Sequence, residues 1–90
     1  MTEGEKAEQV FLALKSAESA APDDALTILN GLMGLVRSEA DDQPIEVDEA
    51  RSSAFLSVCE VGKALNRGQP VGSRWAAAIT ATKRWRALAK

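Results

Sequence analysis

The sequence predicts an all-α fold, a small bundle of about four helices that takes in residues 1–90 as one domain. Three observations predict it. Sixteen alanines and no tyrosine leave a composition rich in helix formers and poor in the aromatic and β-branched residues that strands favour. Apolar residues recur at spacings of three and four along several stretches, the period of a helix that buries one side. The three prolines, with Gly68 and Gly72, fall at the borders of those stretches, where they end one element and start the next.

The first helix is predicted over residues 2–20. Thr2 followed by Glu5 fits a capping box, in which hydroxyl and carboxylate each satisfy an amide left free at the helix start. Ala7, Val10, Phe11, Leu14 and Ala17 form one apolar stripe, and Glu3, Glu5 and Glu8 sit near the positive end of the helix dipole. The second helix is predicted over residues 22–39. Pro22 costs nothing in a first turn, Asp23 and Asp24 suit the same turn, and Leu26, Leu29, Leu32, Met33 and Val36 are its buried set. Gly31 and Gly34 each cost roughly 1 kcal/mol against alanine in a helix interior. The apolar phase persists across them, so one continuous helix is expected rather than a break at Asn30-Gly31. The glycine pair reads as the close approach of a neighbouring helix, in preference to a partner or dimer contact.

Residues 40–47 read as a solvated loop, with Pro44 forbidding helix continuation. Its acids do not make an EF-hand: counted from Asp41, Ile45 falls at the fifth position and Glu46 at the sixth, where a glycine is required. The third helix is predicted over residues 48–66, with Asp48 as cap and Gly68 as a left-handed stop. Ala54, Phe55, Val58, Val61, Gly62 and Leu65 form its buried stripe, with Cys59 beside them as a small buried hydrophobe. After the turn-rich residues 67–72, Ser73 is expected to cap a fourth helix over residues 73–90, antiparallel to the third.

Histidine is absent and Cys59 is the single cysteine, so a disulfide within the chain and a Cys/His zinc site are both excluded. A phosphate-cradling glycine loop and a nucleophile spaced to a base are also lacking. No catalytic residues, no metal and no cofactor are therefore expected. The sequence shows neither a long uncharged apolar window nor a secretory leader pattern, and a reducing, cytoplasmic setting follows as the expectation.

Charge is distributed unevenly. Residues 1–50 hold twelve acids against three bases, a net charge of −9, whereas residues 51–90 hold eight bases against Glu60, a net charge of +7. The halves are expected to neutralise each other within the fold or a dimer, the alternative being a basic half that faces an external anion.

The basic half ends in a helix with five cations, two tryptophans and no acid. At 100° per residue, Trp75, Ala78, Thr82, Trp85 and Ala89 share one side, Lys83, Arg84 and Lys90 lie opposite, and Arg86 stands on the border above Trp75. Arg74 falls among the apolar positions and can snorkel from the first turn. Trp85 is expected in the core, and Trp75, beside the Gly72 connection, is the tryptophan closer to exposure. Arg74, Trp75, Lys83, Arg84, Arg86 and Lys90 are the candidate partner-binding residues. The reading is a non-catalytic regulatory module, an adaptor, inhibitor or antitoxin-like protein of bacterial or phage type, that engages an acidic protein surface. A homodimer is part of that expectation. Nucleic acid is the alternative partner, disfavoured by a sequence pI near 5.1. Membrane binding is disfavoured by the shallow alanine face of residues 76–78.

Overall fold

The computed structural model describes residues 2–37 and 43–89, and these form four helices with no strand among them. They are α1 (Glu3–Glu18), α2 (Pro22–Arg37), α3 (Ile45–Asn66) and α4 (Gly72–Leu88). Each helix packs on its chain neighbours, and α1 also packs on α4, so the four close into an up-down-up-down ring. The expected bundle is thus present. Residues 38–42, which include the end of the second expected helix and the acids Asp41 and Asp42, lie outside the described residues, as does Lys90.

The ends of the helices show how local sequence sets each element. Thr2 caps α1 as expected: the Glu5 amide donates to Thr2 Oγ1 and the Thr2 amide donates to Glu5 Oε1, each at 3.1 Å. That hydrogen bond from the Thr2 amide lowers the pKa of Glu5 below the usual glutamate range. Gly68 closes α3 with a φ of 63°, the left-handed stop for which glycine is suited.

Two helix starts correct the sequence reading. Pro44, not Asp48, takes the cap position of α3, and its carbonyl accepts from the amides of Val47 and Asp48. A proline fixed near φ −57° can precede a helix directly, and Glu46 and Asp48 then occupy the first turn, where the dipole favours anions. Likewise Val71 rather than Ser73 precedes α4, which begins at Gly72 without a side-chain cap.

The core is built from small side chains. Ala7, Ala17, Ala54 and Ala78 are buried with Val10, Leu14, Val36, Val58 and Val61, so the helices approach closely and Trp85 fills the space that alanine leaves. α2 runs unbroken through Gly31 and Gly34, but the reason expected for those glycines is wrong. A Cβ on either would meet nothing within 4 Å, so among the described residues no other helix approaches them. The glycine that does permit a close approach is Gly4, whose Cβ would collide with the carbonyl oxygen of Ala89 at the end of α4. Cys59 is only half-buried, lining a cleft of about 240 Å³ between α2 and α3 with Met33 and Gly62.

Candidate interaction surface on the C-terminal helix

One side of α4 is committed to the fold. Trp75 is 5% exposed and Trp85 is fully buried, together with Ala78 and Thr82. The Thr82 hydroxyl donates to the Ala78 carbonyl at 2.8 Å, one turn back in the same helix, and so needs no partner elsewhere. A buried indole N–H requires an acceptor. For Trp85 that acceptor is Glu3: Nε1 donates to Glu3 Oε2 at 3.1 Å.

The same oxygen accepts from Arg51 Nη1 at 2.6 Å, and Arg51 Nη2 donates to Asp48 Oδ1 at 2.9 Å. Glu3 and Arg51 are both buried, so this ion pair spans the interior from α1 to α3, two helices that are not neighbours in the ring. Burial opposes the charge of Arg51, but the hydrogen bond from Glu3 and the charges of Glu3 and Asp48 outweigh it and raise the guanidinium pKa. The second oxygen of Glu3 has no hydrogen-bond partner, and the Lys6 ammonium stands 3.6 Å away as its ionic neighbour.

Sequence reasoning missed this network. The signal was present: Glu3 is in phase with Ala7, Val10, Leu14 and Ala17, and Arg51 with Val47, Ala54 and Val58, so each charge falls on a buried stripe.

The candidate partner-binding residues separate into two groups. Trp75 is enclosed, contrary to the greater exposure expected of it, because the α4 register turns its ring inward with Ala78 and Thr82. Arg86 is half-buried, its Nη1 donating to Glu8 Oε2 at 3.1 Å while the guanidinium lies 4.2 Å from the centre of the Phe11 ring. This cation–π contact and ion pair fasten α4 to α1. Arg74 donates to the Pro70 carbonyl at 2.6 Å and braces the connection before α4. Trp75 and Arg86 therefore hold the fold together.

Lys83 and Arg84 behave differently. Both are exposed, and among the described residues neither has an ion-pair partner. Beside Arg84 a shallow groove of about 470 Å³ runs between α3 and α4, lined by Ser53, Ala76, Ala77, Thr80 and Ala81. Its walls are small and largely apolar, so a bulky side chain from outside can enter.

Among the described residues two ion pairs join distant segments, Glu3–Arg51 and Glu8–Arg86, while the other four lie within single helices at a separation of three residues. Neutralisation among the described residues is thus partial, and Lys83 and Arg84 stay outside it. Among the described residues no cluster of side chains could hold a metal ion, and no helix is long and apolar enough to cross a membrane. No family model matches the chain, and no curated protein or solved structure shows significant similarity to it.

Proposed function

We propose that the protein is a non-catalytic interaction module whose α4 presents a cationic face to an acidic protein surface. A regulatory role in the cytoplasm, as an adaptor, inhibitor or antitoxin-like protein, fits that activity, and self-association belongs to the same reading. The observation that carries it is the Lys83–Arg84 pair, exposed and without a resident counter-charge among the described residues. Arginine held beside an apolar groove suits the centre of an interface, where desolvation strengthens its hydrogen bonds to carboxylates. The surface comprises Lys83, Arg84 and the adjoining small residues of α4, with Trp75 and Arg86 as its support. Lys90 belongs to the proposed surface by sequence position alone.

The test compares the wild type with a Lys83→Glu, Arg84→Glu double variant in affinity capture from a native lysate, with circular dichroism as the folding control. Acidic proteins recovered by the wild type and lost from the variant are the expected result. Identical recovery by both chains would remove α4 as the docking face. A parallel mobility-shift series with duplex DNA at about 50 and about 200 mM salt addresses the alternative partner, since phosphate contacts lose affinity steeply over that range. A shift that disappears at the higher salt would favour nucleic acid over an acidic protein.

A further inference from the structure

We infer that the protein forms a two-fold dimer through the outward face of α3 and α4, in which Leu56 of each copy enters the α3–α4 groove of the other and Glu49 faces Arg84. The inference rests on the reading of α4 as a cationic docking face and names one acidic surface that it accepts, the α3 helix of a second copy.

Four features of the fold carry it. Leu56 is 63% exposed at the middle of the longest helix, an apolar side chain with no place in this chain's core. On the helical wheel of α3, Glu49, Ser53, Leu56 and Glu60 share the side turned toward α4, and Glu49 is exposed without an ion pair among the described residues. Alongside, the groove between the helices is floored by alanine and threonine, short enough to admit a leucine. Finally, the helices run antiparallel, which sets the charges in register. Ser53 lines the groove with Arg84, and Ser57 lines its continuation with Ser73 and Arg74, so the start of α3 lies level with the end of α4.

A two-fold axis parallel to the helices preserves those levels while exchanging left for right, which lays α3 of one copy over α4 of the other. Glu49, one turn before Ser53, then stands opposite the partner's Arg84, and Leu56 stands at the level of the alanines and Thr80. Each contact occurs twice. Within one copy neither Glu49 nor Arg84 makes an ion pair among the described residues, so both remain available. Lys83 sits on the α1 side of the outward face and stays clear of this interface.

Two helix widths of about 10 Å over roughly 25 Å of length give about 500 Å² per copy, at the low end of specific interfaces, so dissociation in the micromolar range is expected. The test is sedimentation of the full chain from about 1 to about 100 μM. A concentration-dependent dimer is expected for the wild type. Leu56→Asp should leave a monomer. Glu49→Arg and Arg84→Glu should each weaken dimerisation about tenfold or more, because every substitution sets like charges together at two symmetric contacts. The double exchange Glu49→Arg, Arg84→Glu should recover affinity to within about threefold of the wild type.

All three positions are exposed, and circular dichroism verifies the fold of each variant. A wild-type monomer at about 100 μM overturns the inference, and so does a dimer indifferent to Leu56→Asp or one that the double exchange fails to restore. A monomer that still captures acidic proteins through Lys83 and Arg84 would overturn the dimer alone. A dimer that the double exchange restores but that captures no acidic protein would overturn only the wider docking reading.

Discussion

Glu3 is the residue on which three helices converge, since one of its oxygens receives both the Arg51 guanidinium and the Trp85 indole. Breaking a buried ion pair from one side leaves an uncompensated charge, which costs about 3–5 kcal/mol, whereas replacing both partners with apolar groups is often close to neutral. A chain of this length has a total stability of roughly 5–13 kcal/mol, so the single loss is large against the whole. Arg51→Met is therefore expected to lower the stability by about 3–5 kcal/mol in urea unfolding followed by circular dichroism. The double variant Glu3→Leu, Arg51→Met should be more stable than Arg51→Met alone, although the indole N–H of Trp85 is left unpaired at a cost of about 1–3 kcal/mol. Strict additivity of the two changes would show that the pair is not coupled. Glu5 gives a pH-dependent case. Its pKa is lowered in the folded chain, so its contribution is present above the ordinary glutamate range and disappears as pH falls through the lowered value. Glu5→Ala, which removes the carboxylate that the Thr2 amide holds, is expected to melt a few degrees below the wild type near pH 7, and the difference should shrink near pH 3. An undiminished difference in acid would remove the carboxylate from the account.

The glycines separate the helices by what surrounds them. Gly31 and Gly34 have open space where a Cβ would stand and helical backbone on either side. Alanine at either position should stabilise the chain by roughly 0.5–1 kcal/mol, through the lower conformational freedom of the unfolded state and the better helix propensity. Gly4→Ala should act in the opposite direction despite the same gain in propensity, because the obstacle is the backbone carbonyl of Ala89 and α1 must move away from α4 to admit a methyl group. Thermal melting of the three variants checks this, and a rise with Gly4→Ala would show that the α1–α4 seam can yield. These cases also mark what was legible in the sequence. Helix number, the continuity of α2, the Thr2 capping box and the Gly68 stop follow from local rules of propensity, period and capping. Where a glycine meets another helix is set by tertiary approach, and Gly4 and Gly31 look alike to any local rule. The α4 wheel separated Lys83 and Arg84 from the tryptophans correctly, but it carried no information on what lay across from Arg86. Only the fold brings Glu8 and Phe11 of α1 to that side chain.

At the scale of the molecule, the first helix and the last are fastened together by Trp85 on Glu3, Arg86 on Glu8 and the collision-tight passage of Gly4 past Ala89. A ring closed in this way has no terminal helix that can peel off while the rest stands, because freeing α4 opens the core around Trp85 and exposes the stripes of both α1 and α3. Both tryptophans lie in α4, so fluorescence reports on that helix, while circular dichroism reports on all four. The two signals should therefore follow one urea transition with a common midpoint, and a slope of about 1 kcal/mol/M suits a domain of this size. A fluorescence midpoint at lower urea would mean that α4 detaches from a surviving three-helix remainder, which contradicts the closed ring. Dimerisation through α3 and α4 adds a second condition. Because only the folded chain presents that face, the shared midpoint should move to higher urea as protein concentration rises through the micromolar range, and in Leu56→Asp it should stay fixed. The two readouts therefore separate closure of the ring, which concerns one chain, from association of its outer face, which concerns two.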